Sequence, residues 1–212
     1  PGQHLRRCRG RCRRMPSPPS ARSRAGLTFA LVVLAALVIS GLSALHALRT
    51  ELQLGDPGQG LREEIDEVNE VVYPDINDGV YRCGFAGTQA AYDRRVTRLF
   101  EALDLLESRL AGRRYLVGEM ITEADWRLFP TLLRFDPVYF GHFKCNFRRI
   151  GDYPCLSNYL RELYQIPGIA ELCNFRHIKE HYYRSHKSIN PTCIVPGGPE
   201  MTLNQPHDRT RL

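Results

Sequence analysis

The stretch from Thr88 to Tyr139 constrains the fold more than any other part of this sequence. Its first half carries large apolar residues at alternating intervals of four and three. That spacing is typical of one buried face of a long α-helix. Thr88 offers an N-cap hydroxyl, and Gly112 is a suitable residue to end the helix. The apolar residues are Tyr92, Val96, Leu99, Leu103, Leu106 and Leu110.

A second helix is predicted to begin at Thr122. Asp125 follows three residues later, which matches the capping box, in which a hydroxyl and a carboxylate cap the first helical turn from both sides. Such a box predicts where a helix begins but indicates no chemistry. Placed between two amphipathic helices, it resembles the folding module of the all-helical C-terminal domain of glutathione transferases.

The basic character of the chain belongs to its N-terminus. The 212 residues contain 29 Lys and Arg against 23 Asp and Glu, a formal charge of +6. Residues 1–24 hold eight arginines and no acid, so the remainder has 21 basic against 23 acidic residues. Since no basic patch with interleaved aromatic residues stands out, we expect no nucleic-acid binding by the folded part.

The cysteine and histidine patterns predict neither a disulfide framework nor a metal site. No CxxC pair occurs among the seven cysteines, and their spacing is irregular. His177 and His181 are four residues apart, but the residues between them do not form an HExxH motif. Reduced, mostly buried thiols are the expected state. The cysteines are Cys8, Cys12, Cys83, Cys145, Cys155, Cys173 and Cys193.

The first sixty residues allow three interpretations. Residues 1–24 are rich in Arg, Pro and Ser and should be disordered, and residues 25–48 contain no Asp, Glu, Lys or Arg. A helix of that length crosses roughly 30 Å of hydrocarbon, so it predicts a transmembrane anchor, with a secretory signal as the second interpretation. The third is that residues 1–60 are foreign to the protein. The chain would be cytoplasmic in that case and membrane-anchored otherwise.

After a linker over residues 49–61, the sequence predicts an all-α domain over 62–200 and a tail over 201–212. A helix from Arg62 should stop at Pro74 and the turn beginning at Asn77. We expect Pro154 to open a later helix and Asn174 to cap the last one. The remaining predictions are a link over 80–86, a loop over 140–153, a short helix over 169–173 and an extended segment over 188–199.

Three tyrosines are candidate site residues: Tyr81, Tyr139 and Tyr182. Tyr81 follows a turn, Tyr182 lies near the end of the last predicted helix, and Tyr139 follows Pro137, which should break the helix and redirect the side chains after it. A phenol held in a dry cleft can donate to a developing oxyanion or move a proton. Taken singly, each is typical of a half-buried packing residue.

Residues 62–200 resemble the C-terminal half of the glutathionyl-hydroquinone reductases, the Xi-class glutathione transferases. The resemblance is specific because several long signatures recur in the same order. They are NDGVYRCGFA at 77–86, LRFDPVY at 133–139, GHFKC at 141–145, RIGDYP at 149–154, NFRHIKEHY at 174–182 and SHKSINPT at 185–192.

The resemblance implies an activity and a site. Members of the family reduce glutathionylated hydroquinones with a second glutathione, and they release the free hydroquinone and glutathione disulfide. Their catalytic cysteine, in a Cys-Pro motif, and their glutathione site belong to an N-terminal thioredoxin-like domain. The helical domain supplies the wall of the hydroquinone pocket, where the tyrosines at Tyr81, Tyr139 and Tyr182 contact the quinol hydroxyls, and it forms the dimer.

Residues 1–61 depart from the family because they contain no thioredoxin pattern and no Cys-Pro pair. Cys8 and Cys12 lie in an Arg-rich run and are rejected as substitutes, since a disordered thiol is not positioned for attack. Cys83 is expected to be a small packing thiol. We therefore expect the substrate-side half of a reductase, inactive and prone to self-association as an isolated chain. The alternatives are a membrane-tethered helical interaction module and a transferase that acts with a separate thioredoxin-like subunit.

Overall fold

Helices form all of the regular secondary structure in residues 59–212, the part of the chain that the computed structural model describes. The predictions for residues 1–24 and 25–48, and for the linker up to residue 58, lie outside this range. The all-α prediction is confirmed. The α-helices are α1 Gln59–Val71, α2 Gly79–Gly84, α3 Gln89–Leu110, α4 Glu123–Arg134, α5 Phe140–His142, α6 Pro154–Tyr164, α7 Ile169–Leu172 and α8 Phe175–Ser185. Two π-helical segments, Val72–Asn77 and Phe135–Tyr139, and two 3₁₀ turns, Ile150–Asp152 and Arg209–Arg211, complete the set.

The long helix α3 forms as its apolar periodicity predicts. Thr88 caps it, because its Oγ1 accepts a hydrogen bond from Ala91 N at 3.2 Å. Five of the six predicted apolar positions are almost fully buried, and Tyr92 is partly buried. The helix packs against α2, α6 and the first π-helical segment, so its apolar face lies in the centre of the domain. The five are Val96, Leu99, Leu103, Leu106 and Leu110.

Asp125 both caps α4 and ties the domain together. Its Oδ2 accepts from Thr122 N at 2.7 Å, which is the carboxylate arm of the predicted capping box. Its Oδ1 accepts from Leu116 N at 3.0 Å and from the Tyr159 hydroxyl at 2.7 Å. A fully buried carboxylate is stable only when such donors replace its water. One acidic residue therefore connects the loop before α4 to α6.

Pro74 and Pro137 do not stop the helices as predicted. Val72–Asn77, which contains Pro74, continues α1 as a π-helical turn, and residues 79–84 form α2 rather than a link. Asp78 N donates to Tyr73 O at 2.9 Å, five residues earlier. In the same way, Phe135–Tyr139 leads directly into α5. A π-turn carries one extra residue, so the chain passes the proline through a wider turn instead of ending the helix.

The prediction of a loop over residues 140–153 is wrong at both ends. Its first residues form α5, and Ile150–Asp152 is a 3₁₀ turn. The turn is held by the Asp136 carboxylate, which accepts from Ile150 N at 2.7 Å and from Gly151 N at 3.1 Å. This contact joins the second π-helical segment to the chain that leads into α6. It was not predictable from local sequence because the two segments meet only in the folded domain.

The predicted starts of the two longer helices in the last third of the domain are confirmed. Pro154 is at the first turn of α6, and Asn174 Oδ1 caps α8 by accepting from His177 N at 3.0 Å. After α8 the chain runs without regular structure to the 3₁₀ turn at its end, but Leu203 and Arg209 are buried. Within residues 59–212, no helix has both the length and the apolar composition that crossing a membrane requires.

Candidate functional site

The fold brings the three candidate tyrosines together. Tyr81 lies on α2, Tyr139 ends the second π-helical segment, and Tyr182 lies on α8, which packs against that segment. The Tyr81 and Tyr182 hydroxyls share a hydrogen bond of 2.5 Å, and the Tyr139 and Tyr182 hydroxyls share one of 2.9 Å. Tyr182 is therefore the middle of a chain of three phenols.

The three phenols differ in exposure. Tyr139 is 2% exposed and Tyr182 is 7% exposed, whereas Tyr81 is 36% exposed. The cluster thus extends from the interior of the domain to its surface, with Tyr81 at the open end. A ligand that reaches the cluster from solvent meets Tyr81 first and then Tyr182.

Proton counting shows that this cluster has a hydrogen-bond donor to spare. Each neutral phenol carries one O–H donor and two acceptor lone pairs. Two hydrogen bonds join the three hydroxyls, so they use two of the three protons. The third O–H is not used by these two bonds, and it belongs to the exposed Tyr81 when the bonds run from Tyr139 through Tyr182 to Tyr81.

Burial keeps the Tyr139 and Tyr182 phenols protonated. Removal from water raises the pKa of Tyr182 to about 12, and removal from water together with the bond to Tyr182 raises the pKa of Tyr139 well above its ordinary value. Burial disfavours a phenolate because the charged form loses its hydration. At neutral pH Tyr139 and Tyr182 are therefore neutral phenols with O–H groups that can donate hydrogen bonds.

Phe143 forms the floor of the cluster. Its ring centroid lies 5.2 Å from that of Tyr81, 5.4 Å from that of Tyr139 and 6.0 Å from that of Tyr182. The ring is fully buried, and it approaches the backbone of Gly84 on α2 so closely that a Cβ there would lie 2.3 Å from it. Glycine at this position allows α2 to bring Tyr81 to the other two tyrosines.

Three aromatic residues of this region were not predicted as site residues: His142, Phe143 and His186. They lie inside the signatures GHFKC and SHKSINPT, so the family resemblance contained the signal, but neither periodicity nor spacing identifies them. The rings of Phe143 and His186 lie 5.6 Å apart, and His142 Nε2 lies 3.1 Å from His186 Nδ1.

The thiols nearest in sequence to the cluster are buried packing residues. Cys83 and Cys145 are 2% and 0% exposed, and both are free thiols. Hydrogen bonding to Cys83, and then burial, raises the pKa of the Cys145 thiol. Neither side chain is open to a solvent-borne sulfur. No group of three or more His, Cys, Asp or Glu side chains within residues 59–212 is arranged to hold a metal ion.

The class of the domain follows from a family comparison. The model of the glutathione S-transferase C-terminal domain matches residues 89–162, which run from the start of α3 into α6. The match assigns residues 89–162 to the glutathione transferase C-terminal domain, and the all-helical architecture of residues 59–212 agrees with it.

Individual relatives indicate which class of glutathione transferase the chain resembles. Glutathionyl-hydroquinone reductase YqjG of Escherichia coli is 54% identical over 149 residues, which cover 70% of this chain and 45% of that protein. The glutathione-bound structure of YqjG superposes with a TM-score of 0.70 at 52% identity, over 74% of this chain and 53% of that one. An Xi-class glutathione transferase from Natrialba magadii superposes with a TM-score of 0.71 at 47% identity, over 73% of this chain and 47% of that one.

The chain is a homologue of the glutathionyl-hydroquinone reductases, the Xi-class glutathione transferases, over its C-terminal region. This confirms the family that the sequence signatures indicate. The chain spans about half the length of the relatives it matches.

Proposed function

We propose that residues 59–212 form the hydroquinone-binding side of a glutathionyl-hydroquinone reductase, with glutathione as co-substrate. The observation that carries this proposal is the spare O–H donor of the linked phenols Tyr81, Tyr139 and Tyr182. A hydroquinone offers a flat ring for aromatic contact and oxygens that accept such a hydrogen bond. The names of the relatives and the aromatic floor at Phe143 support the same substrate class.

The phenols suit the charge changes of this reaction. A glutathionyl-hydroquinone and glutathione give the free hydroquinone and glutathione disulfide, so the aryl carbon is reduced and two sulfurs are oxidised. When the carbon–sulfur bond breaks, its electron pair stays with the quinol and a proton replaces the sulfur on the ring. A neutral phenol that donates to a quinol oxygen stabilises the charge that develops there.

We assign the sulfur chemistry to a thioredoxin-like domain, as the resemblance implies. Cys83 and Cys145 do not suit it because both are buried. On this proposal the tyrosine cluster holds and polarises the quinol while a thiolate outside residues 59–212 attacks the glutathionyl sulfur. Homodimerisation through the helical domain stays a prediction, which the mass measured by light scattering tests against the 24.3 kDa chain.

Two matched substitutions on α8 test the role of the phenols. Tyr182→Phe removes the middle hydroxyl and should weaken binding of a glutathionyl-hydroquinone by about tenfold, the equivalent of one hydrogen bond. Tyr183→Phe is the control, because Tyr183 is 9% exposed but its hydroxyl donates to Pro137 O at 3.4 Å, outside the cluster. Binding is measured by ligand-observed NMR or calorimetry with the full chain.

The control variant should bind within about twofold of the wild type, because its change leaves all three cluster hydroxyls in place. Equal affinities for Tyr182→Phe and Tyr183→Phe, or a wild-type chain that does not bind the conjugate, would contradict the proposed role of the cluster.

A further inference from the structure

A hydrogen-bonded pair of histidines adjoins the tyrosine cluster. His142 on α5 is 5% exposed, and His186, the residue that follows α8, is half-buried. His142 Nε2 and His186 Nδ1 are 3.1 Å apart, and the two rings stack with centroids 5.3 Å apart at 17°. The buried ring of His142, the inner ring, therefore holds the ring of His186, the outer ring, in one orientation.

The outer ring extends the aromatic surface beyond the three tyrosines. His186 meets Tyr182 edge-on, with centroids 5.5 Å apart, and Phe85 edge-on at 5.3 Å. Phe85 is 50% exposed, and its ring also contacts Phe143 at 5.5 Å. Tyr81, Phe85 and His186 thus form a partly exposed layer over a buried layer. An exposed aromatic edge beside a polar cluster is typical of a surface that binds a ligand.

Burial favours the neutral form of both imidazoles. Burial, with smaller contributions from His186 and Lys144, lowers the pKa of His142 to about 4. Burial and the neighbouring His181 also lower the pKa of His186. The other titratable neighbour of His142 is Tyr183, at 4.6 Å between ring centroids, and it is a neutral phenol because burial raises its pKa.

In a neutral imidazole, the role of Nδ1 in the shared hydrogen bond decides whether Nε2 donates or accepts. If His186 Nδ1 accepts the shared hydrogen bond, then Nε2 carries the proton and donates; if Nδ1 donates, then Nε2 is an acceptor. Nε2 has no hydrogen-bond partner among residues 59–212. The atom is therefore available to a ligand in either arrangement.

We propose that His186 is a further substrate-contacting residue of this site. With Phe85 it forms an edge on which the aromatic ring of the substrate stacks, and its Nε2 hydrogen-bonds a polar substituent of that ring. His142 is a positioning residue, since it acts only by fixing the His186 ring. This inference rests on the proposed function and adds a contact beyond the three tyrosines, beside Tyr182.

Two substitutions of His186 separate the contribution of ring stacking from that of the hydrogen bond. His186→Ala removes both the ring and its nitrogen and should weaken binding of the glutathione conjugate of 1,4-hydroquinone by about tenfold. His186→Phe keeps a stacking ring and loses only the hydrogen bond, so its loss should be smaller, about threefold to fivefold. His177→Ala, an exposed position on α8, is the control and should bind as the wild type does.

A measurement on the wild-type chain avoids any effect of mutation on folding. On titration with the same conjugate, the imidazole NMR signals of His186 should shift and those of His177 should not. His186→Ala binding within twofold of the wild type, or unshifted His186 signals at saturation, overturns the inference.

Failure of the inference is distinguishable from failure of the proposed function. If Tyr182→Phe weakens binding and His186→Ala does not, only the role of His186 is wrong. If His186→Ala weakens binding and Tyr182→Phe does not, the inference stands and the role of the phenols is wrong. If the wild-type chain binds no conjugate, both are overturned.

Discussion

Tyr182 is the residue that links the three candidate tyrosines. Its hydroxyl joins that of Tyr81, 101 residues away in sequence, to that of Tyr139, 43 residues away. Three separate parts of the chain thus meet at one oxygen atom. Because that oxygen is 2.5 Å and 2.9 Å from its two partners, a small displacement of α8 would change both hydrogen bonds.

At the same scale, His142 should make folding stability depend on pH. Its folded pKa of about 4 lies below its ordinary value of 6.5, so between these values the unfolded chain binds more protons. Stability should therefore fall as the pH is lowered from about 6.5 to 4, by at most about 1.4 kcal/mol per pH unit from this group. Urea unfolding at several pH values measures the slope.

Two variants isolate the contribution of His142 to this slope. His142→Phe keeps a ring in the site but does not titrate, so stability should depend less on pH in this variant. His177→Ala, at an exposed position, should keep the slope of the wild type. An unchanged slope in His142→Phe would show that other groups cause the pH dependence.

At the scale of elements, the approach of α2 to Phe143 positions Tyr81. Gly84→Ala places a Cβ 2.3 Å from the fully buried Phe143 ring, so the ring or the α2 backbone must shift. We expect a loss of about 2 kcal/mol in unfolding free energy, the usual effect of overpacking, together with weaker ligand binding. Gly87→Ala, where a Cβ meets nothing within 4 Å, is the control.

The comparison of these two variants tests whether the close packing matters. Gly87→Ala should stay within about 0.5 kcal/mol of the wild type in urea unfolding. Equal stabilities of the two variants would mean that α2 and Phe143 adjust to the extra methyl group at no cost.

The elements also show which parts of the structure the sequence predicts. The periodicity of α3 and the caps at Thr88 and Asn174 are local patterns, and each forms as predicted. The π-helical turns at Pro74 and Pro137 were predicted as helix ends, because a local rule for proline does not include the packing that keeps the chain helical.

The site was predictable only in part. Resemblance to a known family identified Tyr81, Tyr139 and Tyr182, and the structure places their hydroxyls in one hydrogen-bonded chain. No periodicity relates them, since they lie on three elements. His142 and His186 were missed because a lone histidine is a common packing residue, and its role depends on a partner 44 residues away.

At the scale of the whole molecule, the last residues of the chain pack into the described domain through Arg209. Arg209 is 2% exposed and donates to Leu110 O at 2.8 Å and to Arg114 O at 2.6 Å, just beyond the C-terminal end of α3. It also lies 3.9 Å from the buried carboxylate of Glu162. A buried guanidinium with these acceptors joins the C-terminal segment to the end of α3 and to α6.

Arg209→Met should lower the unfolding free energy by about 3 kcal/mol, because it leaves carbonyls and a carboxylate buried with fewer donors. Arg211→Met is the matched control: the Arg211 side chain is 67% exposed and pairs with Asp208 at the surface, so its loss should cost under about 1 kcal/mol. Urea unfolding compares the two, and equal values would show that the C-terminal segment contributes little to stability.

The most direct test of the central claim is a crystal structure of the full chain with a bound glutathionyl-hydroquinone. The claim predicts a quinol oxygen within about 3 Å of the Tyr81 or Tyr182 hydroxyl, with the ring packed beside Phe85 and His186. A conjugate bound elsewhere on the domain, with the tyrosine hydroxyls bonded only to each other, would contradict it.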